Sequence, residues 1–161
     1  MIVVSDTSPV SNLLIINRLH LLQKLFKKII IPNKVYNELL ELEKFGFDVS
    51  SIKNTTWIEI RNPQNFKLVD ELKKKLDEGE SEGIVLAKEL NADYLLIDEQ
   101  AGREIATSLG LHIIELLGIL IKAKEQKIII QLKPMIDELI EKAGFWISKD
   151  LYEMVISSAN E

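Results

Sequence analysis

Short unbroken apolar runs, each followed by a stretch of helical periodicity, constrain this chain more than any other feature. Ile2-Val3-Val4, Ile29-Ile30-Ile31, Tyr94-Leu95-Leu96-Ile97 and His112-Ile113-Ile114 are too short for helices and lack polar alternation. Runs of this kind read as strands buried on both faces, the condition of a parallel sheet covered by helices on each side. Trp57-Ile58-Glu59-Ile60 does alternate and fits a strand at a sheet edge. Between these runs the periodicity predicts two helices from Pro9 to Phe26, bent near Asn17, and a helix opened by Pro32 and closed by Gly46. Further helices are expected over 66–76, then, after a break at Asp77-Glu78-Gly79 where Gly79 allows a tight entry, through Ile84 and Leu90 to a cap at Asn91, and over 99–108, 116–126, 132–142 and 149–158, the last capped by Ser148. Strands alternating with helices make βαβ units, whose crossovers are right-handed. The expected fold is a three-layer α/β/α arrangement with a parallel sheet of about five strands, order 3-2-1-4-5, the first strand central.

Composition narrows the functional classes. At 161 residues the chain is long enough for a real core, and one domain spanning 1–161 is expected. No apolar run approaches the ~20 residues of a membrane span, and the chain enters its first strand without a basic leader, so a cytoplasmic protein is expected. The absence of cysteine excludes disulfides, thiolate metal sites and thiol nucleophiles. A net charge of -5 argues against a broad electrostatic nucleic-acid binder. It leaves room for a nuclease, whose metal-binding carboxylates supply negative charge that cations cancel.

The acids at the strand ends carry the chemistry. In an open α/β sheet, ligands bind at the carboxyl ends of the strands. Asp6 follows the first strand and Asp98 the fourth, so neighbouring strands would bring them to one rim. Crowded carboxylates repel one another unless a cation neutralises them, and oxygen ligands without Cys or His suit Mg²⁺ or Mn²⁺. Each acid also has a plain structural reading. Asp6 and Asp98 each precede a helix and could be simple N-caps. Glu38 borders the buried stripe of its helix and reads, from pattern alone, as an exposed helix glutamate. In Gly79-Glu80-Ser81-Glu82-Gly83, the two glutamates suit the positive end of a helix dipole. They point about 200° apart, so one is expected to face the cleft; Glu82, just before Ile84-Val85-Leu86-Ala87, is the choice. Thr7 and Ser8 could fix a metal-binding Asp6. Arg103 could contact a phosphate or form a structural ion pair with Asp98 or Glu99. His20 and His112 are isolated, and no phosphate-binding glycine loop or nucleophile elbow is present.

In combination these segments resemble the PIN domain family, in its branch with an opening of the D-T-S-P type. The matching residues are Asp6-Thr7-Ser8-Pro9, Ile31 to Leu39 with Glu38, Gly79-Glu80-Ser81-Glu82, and Leu95-Leu96-Ile97-Asp98-Glu99, so the likeness runs from residue 2 to about 155. The resemblance implies a Mg²⁺- or Mn²⁺-dependent ribonuclease leaving 5′-phosphate and 3′-hydroxyl ends. It places metal-ligand roles on Asp6, Glu38, Glu82 and Asp98, with Ser8 in support; Glu99 could stand in as a ligand for a family acid that this chain lacks. Many relatives are toxins of VapC-type toxin–antitoxin pairs, which implies an RNA substrate, a small antitoxin protein and a homodimer. Two departures stand out: PIN toxins carry an aspartate where Glu82 stands, and a further acid where this chain has Ala101. A PIN-like module that binds RNA or a protein without catalysis is therefore the rival reading. A phosphotransfer domain fits less well, because Ser8 stands where a phosphatase needs its second aspartate. The apolar surplus at Ile140, Phe145, Trp146, Tyr152, Val155 and Ile156 suggests a two-fold contact there or around Leu21 to Phe26.

Overall fold

Val4 sits at the centre of the sheet in the computed structural model, which describes residues 1–161. Its strand β1 (Val3–Ser5) pairs in parallel with β2 (Ile29–Ile31) on one side and β4 (Tyr94–Leu96) on the other. β3 (Ile58–Ile60) adds beyond β2, and β5 (Ile113–Ile114) beyond β4. The order is β3-β2-β1-β4-β5, all parallel, as the pattern of apolar runs predicts. β3 is indeed an edge strand, its burial falling from Ile58 to an exposed Ile60.

Alternate residues of the strands feed two separate cores. Val3, Ile29, Ile31 and Leu96 face the larger one. There they meet α1 (Thr7–Ile15), α2 (His20–Phe26), α3 (Asn33–Leu40), α8 (Leu116–Glu125), α9 (Lys133–Ala143) and α10 (Lys149–Ser158). Val4, Ile30, Leu95 and Ile97 face the smaller one, against α6 (Glu78–Glu89) and α7 (Gln100–Ser108). The unbroken apolar runs are thus explained, since each strand must bury both faces. Leu21, Leu22 and Phe26 of α2 lie wholly within the larger core, which removes them from the surplus that a two-fold contact could cover. Val155 and Ile156 are buried too, whereas Trp146 is 81% exposed.

The helix boundaries depart from expectation in three places. The chain between α3 and β3 makes a 3-10 turn (Glu41–Phe45), which buries no residue, and a one-turn helix α4 (Ser50–Lys53), whose Ile52 joins the larger core with Ile58. Neither has the length to give a periodic signal. The bend between α1 and α2 is real and is made by Asn17 with φ 57, a left-handed conformation asparagine tolerates. Most important for the site, Asp77-Glu78-Gly79 is not a break. Asp77 is the N-cap of α6, and its carboxylate accepts a hydrogen bond from the Glu80 amide at 2.8 Å. α5 (Phe66–Leu72) ends earlier than the expected 76, and the intervening turn returns the chain to this cap.

Candidate functional site

Parallel pairing alone places Asp6 at the rim. Ser5 is in register with Leu96, and the Asp6 amide donates to the Leu96 carbonyl at 2.9 Å, so β1 and β4 end side by side. Asp6 then occupies the N-cap position of α1, yet its side chain makes no capping hydrogen bond to the helix. The simple-cap reading therefore does not account for it. The residue is only 4% exposed. Burial pushes its carboxyl up to about 7; the Thr7 amide partly offsets this, and the charges of Asp77, Glu38 and Glu99 add to it.

The second member of this corner is Glu80, also 4% exposed, on the first turn of α6. Its carboxyl is pushed up to about 8, first by burial and then by the Asp77 carboxylate within hydrogen-bonding reach and the charges of Asp6 and Glu99. Its Oε2 is buried without a hydrogen-bond partner. This reverses the choice between the two glutamates of the G-E-x-E segment. Glu82 is half-buried; burial and Glu78 raise its pKa, while Lys73 and Lys34 lower it. It lies toward α3, where the charges of both Lys34 and Glu38 reach it, and Lys34 also approaches Glu78 at 4.0 Å. The signal for Glu80 was present in the sequence: it lies four residues before Ile84 and seven before Ala87, both fully buried, so all three share one helical face.

Two glycines make room for these carboxylates. A Cβ on Gly102 of α7 would stand 2.7 Å from Glu80 Oε2 and 2.7 Å from Ile97 Cδ1. A Cβ on Gly79 would stand 3.0 Å from both carboxylate oxygens of Glu38. Close approach of α6 to Glu38, rather than a tight helix entry, is thus what Gly79 permits. Gly83 has open space around it and has no such role. Glu38 itself is gripped by Thr7, whose hydroxyl donates to Oε2 at 2.5 Å and ties α3 to the start of α1. Beside Glu38 the surface dips into a hollow of about 400 Å³ lined by Lys34, Asn37 and Glu41. Ser8 lies in the first turn of α1 and contributes its carbonyl to Ser11.

Asp98 forms a second corner. It does not cap α7, whose N-cap residue is Glu99. Instead Oδ1 accepts the amide of Leu116, the first residue of α8, at 2.7 Å, and Oδ2 is buried without a partner. Burial raises its carboxyl to about 6; the Leu116 amide and the Arg103 charge oppose this, and Glu115 and Glu99 add to it. The Arg103 guanidinium bonds the carboxylate of neither Asp98 nor Glu99 but pairs with Glu115 at 2.7 Å. Glu99 is the acid common to both corners, since its charge acts on Asp6, Glu80 and Asp98 alike. His112 stands with Met1 and Asp93 at the opposite, amino end of the strands.

All of the donors are oxygens, and two buried carboxylate oxygens have no partner, so the residues present suit a hard divalent cation. No three acids stand as a ready-made metal cage. Holding an ion would require carboxylate rotations, for which the unpartnered Glu80 Oε2 and Asp98 Oδ2 are free.

The sequence and the fold both have known relatives. The family model described as PIN domain matches residues 2–161. Among solved structures, the chain is similar to a PilT N-terminus domain protein from the hyperthermophilic archaeon Sulfolobus solfataricus P2. The TM-score is 0.54 at 22% identity, over 76% of this chain and 93% of that one. No curated protein matches the chain in sequence. A sheet of this order, with acids at the ends of β1 and β4, joins a match over nearly every residue to one conclusion: the chain belongs to the PIN domain family.

Proposed function

We propose that this protein is a divalent-metal-dependent endoribonuclease whose ion is held by Asp6, Glu80 and Asp98, with Glu38 and Glu99 completing the acidic rim. PIN domains are generally nucleases and usually use divalent metal ions. The observation that carries the reading for this chain is the buried Asp6–Glu80 corner. Two carboxyls raised to about 7 and about 8, with no basic side chain among the causes of either shift, favour a cation strongly. A cation bound there would polarise the scissile phosphate and lower the pKa of the attacking water. Thr7 holds Glu38 in place for the same rim, and Asp77 fixes the first turn of α6 from which Glu80 projects. Lys34, beside Glu38 in the surface hollow, would on this reading meet a phosphate flanking the cleavage point. The family resemblance implies 5′-phosphate and 3′-hydroxyl ends, and with no histidine base among the acids the 2′-hydroxyl route to a cyclic phosphate is not expected.

The test is cleavage of end-labelled RNA by the purified protein with Mn²⁺, with Mg²⁺ and with chelator. Cleavage that needs the ion and disappears in Asp6→Asn supports the reading. The absence of a ready-made cage favours the rival, a PIN-like module that binds RNA or protein without cutting; RNA binding without cleavage at saturating Mn²⁺ would select it. A VapC-like toxin role adds a small antitoxin protein as partner, tested by whether the adjacent reading frame encodes a protein that binds and silences this one. A homodimer is proposed through the C-terminal region, where Trp146 is exposed and Met154 and Leu151 line a groove with Leu117 and Ile121. Light scattering should then give about twice 18.4 kDa.

A further inference from the structure

Asp98 is held from a direction that its place in the sequence does not suggest. A carboxylate between a strand and a helix ordinarily caps that helix, yet Asp98 reaches past α7 to the Leu116 amide at the start of α8. The reach is possible because β4 and β5 pair as far as Leu96 and Ile114, and the Ile97 amide continues the ladder to the Ile114 carbonyl at 3.2 Å. Only Glu115 then separates the sheet from the amide that Asp98 uses. Glu115 is the N-cap residue of α8, but its side chain caps nothing; it turns to α7 and pairs with Arg103 Nη1 at 2.7 Å. The pair therefore clamps the first turn of α7 to the residue that carries the Leu116 amide on its far side. With Oδ1 so occupied, Oδ2 is the oxygen of Asp98 left without a partner.

We propose that Arg103 and Glu115 are positioning residues that fix the orientation of Asp98 through the Leu116 amide, committing Oδ1 to the fold and presenting Oδ2 as the ligand oxygen. The proposal rests on the metal-nuclease reading for its purpose, though not for its geometry. Both partners are partly exposed, 31% and 45% on their side chains, so the pair adds little to stability. A role in stability alone is thus a poor explanation of it. Groups that orient metal ligands, by contrast, commonly matter about 10–100-fold in metal affinity.

The test uses the full chain in two states. In the metal-free protein, hydrogen exchange at the Leu116 amide should quicken about fivefold in Arg103→Ala and in Glu115→Ala, because local opening no longer works against the clamp. Glu104→Ala, which removes only an exposed contact to Gln100 on the same helix, should leave it unchanged. With Mn²⁺ titrated in, followed by electron paramagnetic resonance, both single variants should bind at least tenfold more weakly. The swapped variant Arg103→Glu/Glu115→Arg should recover both readouts to within about threefold of wild type. Unchanged Leu116 exchange in the single variants overturns the proposal, as does wild-type Mn²⁺ affinity in them. A wild-type protein that binds no Mn²⁺ would instead refute the nuclease reading, and the exchange measurement would still decide whether the pair orients Asp98.

Discussion

The two acidic corners at the end of the sheet solve the same problem in opposite ways. Around Asp98 the fold supplies compensation: a backbone amide on one oxygen and the Arg103 charge nearby, which leave the carboxyl at about 6. Around Asp6 and Glu80 it supplies almost none, and their carboxyls stand at about 7 and about 8. Burial is the leading cause at all three, and Asp98, less deeply buried than Asp6 and Glu80, also has more compensating partners. The contrast assigns different tasks to acids that look alike in the sequence. On the proposed reading Asp98 is a ligand already oriented by the protein, whereas Asp6 and Glu80, raised chiefly by burial, are the carboxylates that a cation would stabilise most.

The sharpest way to break this comparison is Asp6→Asn. Metal-dependent cleavage should fall at least about a thousandfold, since a ligand is lost at the centre of the charge. The metal-free variant should nevertheless melt no lower than wild type, because one of several mutually repelling carboxylates has gone. A variant that fails to fold would return Asp6 to a structural role. Next in size is the pair of substitutions Glu80→Gln and Glu82→Gln, read as initial cleavage rates. The first should lower the rate on the order of a hundredfold and the second by less than about threefold. Equal losses would dissolve the distinction between the two faces of α6.

Much of this was legible without coordinates. The apolar runs specify the strands and their order because a two-sided sheet leaves no polar alternation to misread. They also place Asp6 and Asp98 on one rim through strand register alone. Which glutamate of α6 turns inward follows from its phase with the buried Ile84 and Ala87, which selects Glu80. The glycine at position 79 obscured the helix start, since it reads as a breaker while serving to admit the Glu38 carboxylate. The aspartate three residues ahead of Glu80 was the better guide, a cap bonded to the Glu80 amide. Asp98 shows the converse limit. Its cap-like position is plain in the sequence, but the amide it uses lies eighteen residues further on, and only the β4–β5 pairing brings the two together. Gly102 gave no local signal at all, because its lack of a side chain matters only to a carboxylate from another helix.

That last contact offers a finer probe. Gly102→Ala would drive a methyl group against Glu80 Oε2 and Ile97, each 2.7 Å from the new Cβ. Overpacking of this kind costs about 1–3 kcal/mol, and the displaced carboxylate should weaken Mn²⁺ binding about tenfold. Calorimetric titration checks both; a variant with unaltered Mn²⁺ affinity would show that Glu80 is not a ligand.

The smallest expected effect is a pH trend in the metal-free protein. Asp6 has a folded-state pKa raised to about 7 from an ordinary 3.8, so the folded chain binds this proton more tightly than the unfolded chain. Its contribution to stability is complete below about pH 4 and is lost as pH rises through about 7. The melting-temperature difference between wild type and Asp6→Asn should therefore shift against wild type by roughly 5 °C from pH 5 to pH 8. Saturating Mn²⁺ should abolish the trend, because the cation replaces the proton. A difference that is flat with pH would mean that the Asp6 carboxyl is not raised as described.

The most direct measurement is an anomalous difference map from crystals soaked in Mn²⁺. A peak ligated by Asp6 and Glu80, with Asp98 Oδ2 turned toward it and Oδ1 still on the Leu116 amide, is the predicted result. A peak held by Glu82 in place of Glu80, or no peak beside Asp6 at saturating Mn²⁺, would contradict the account.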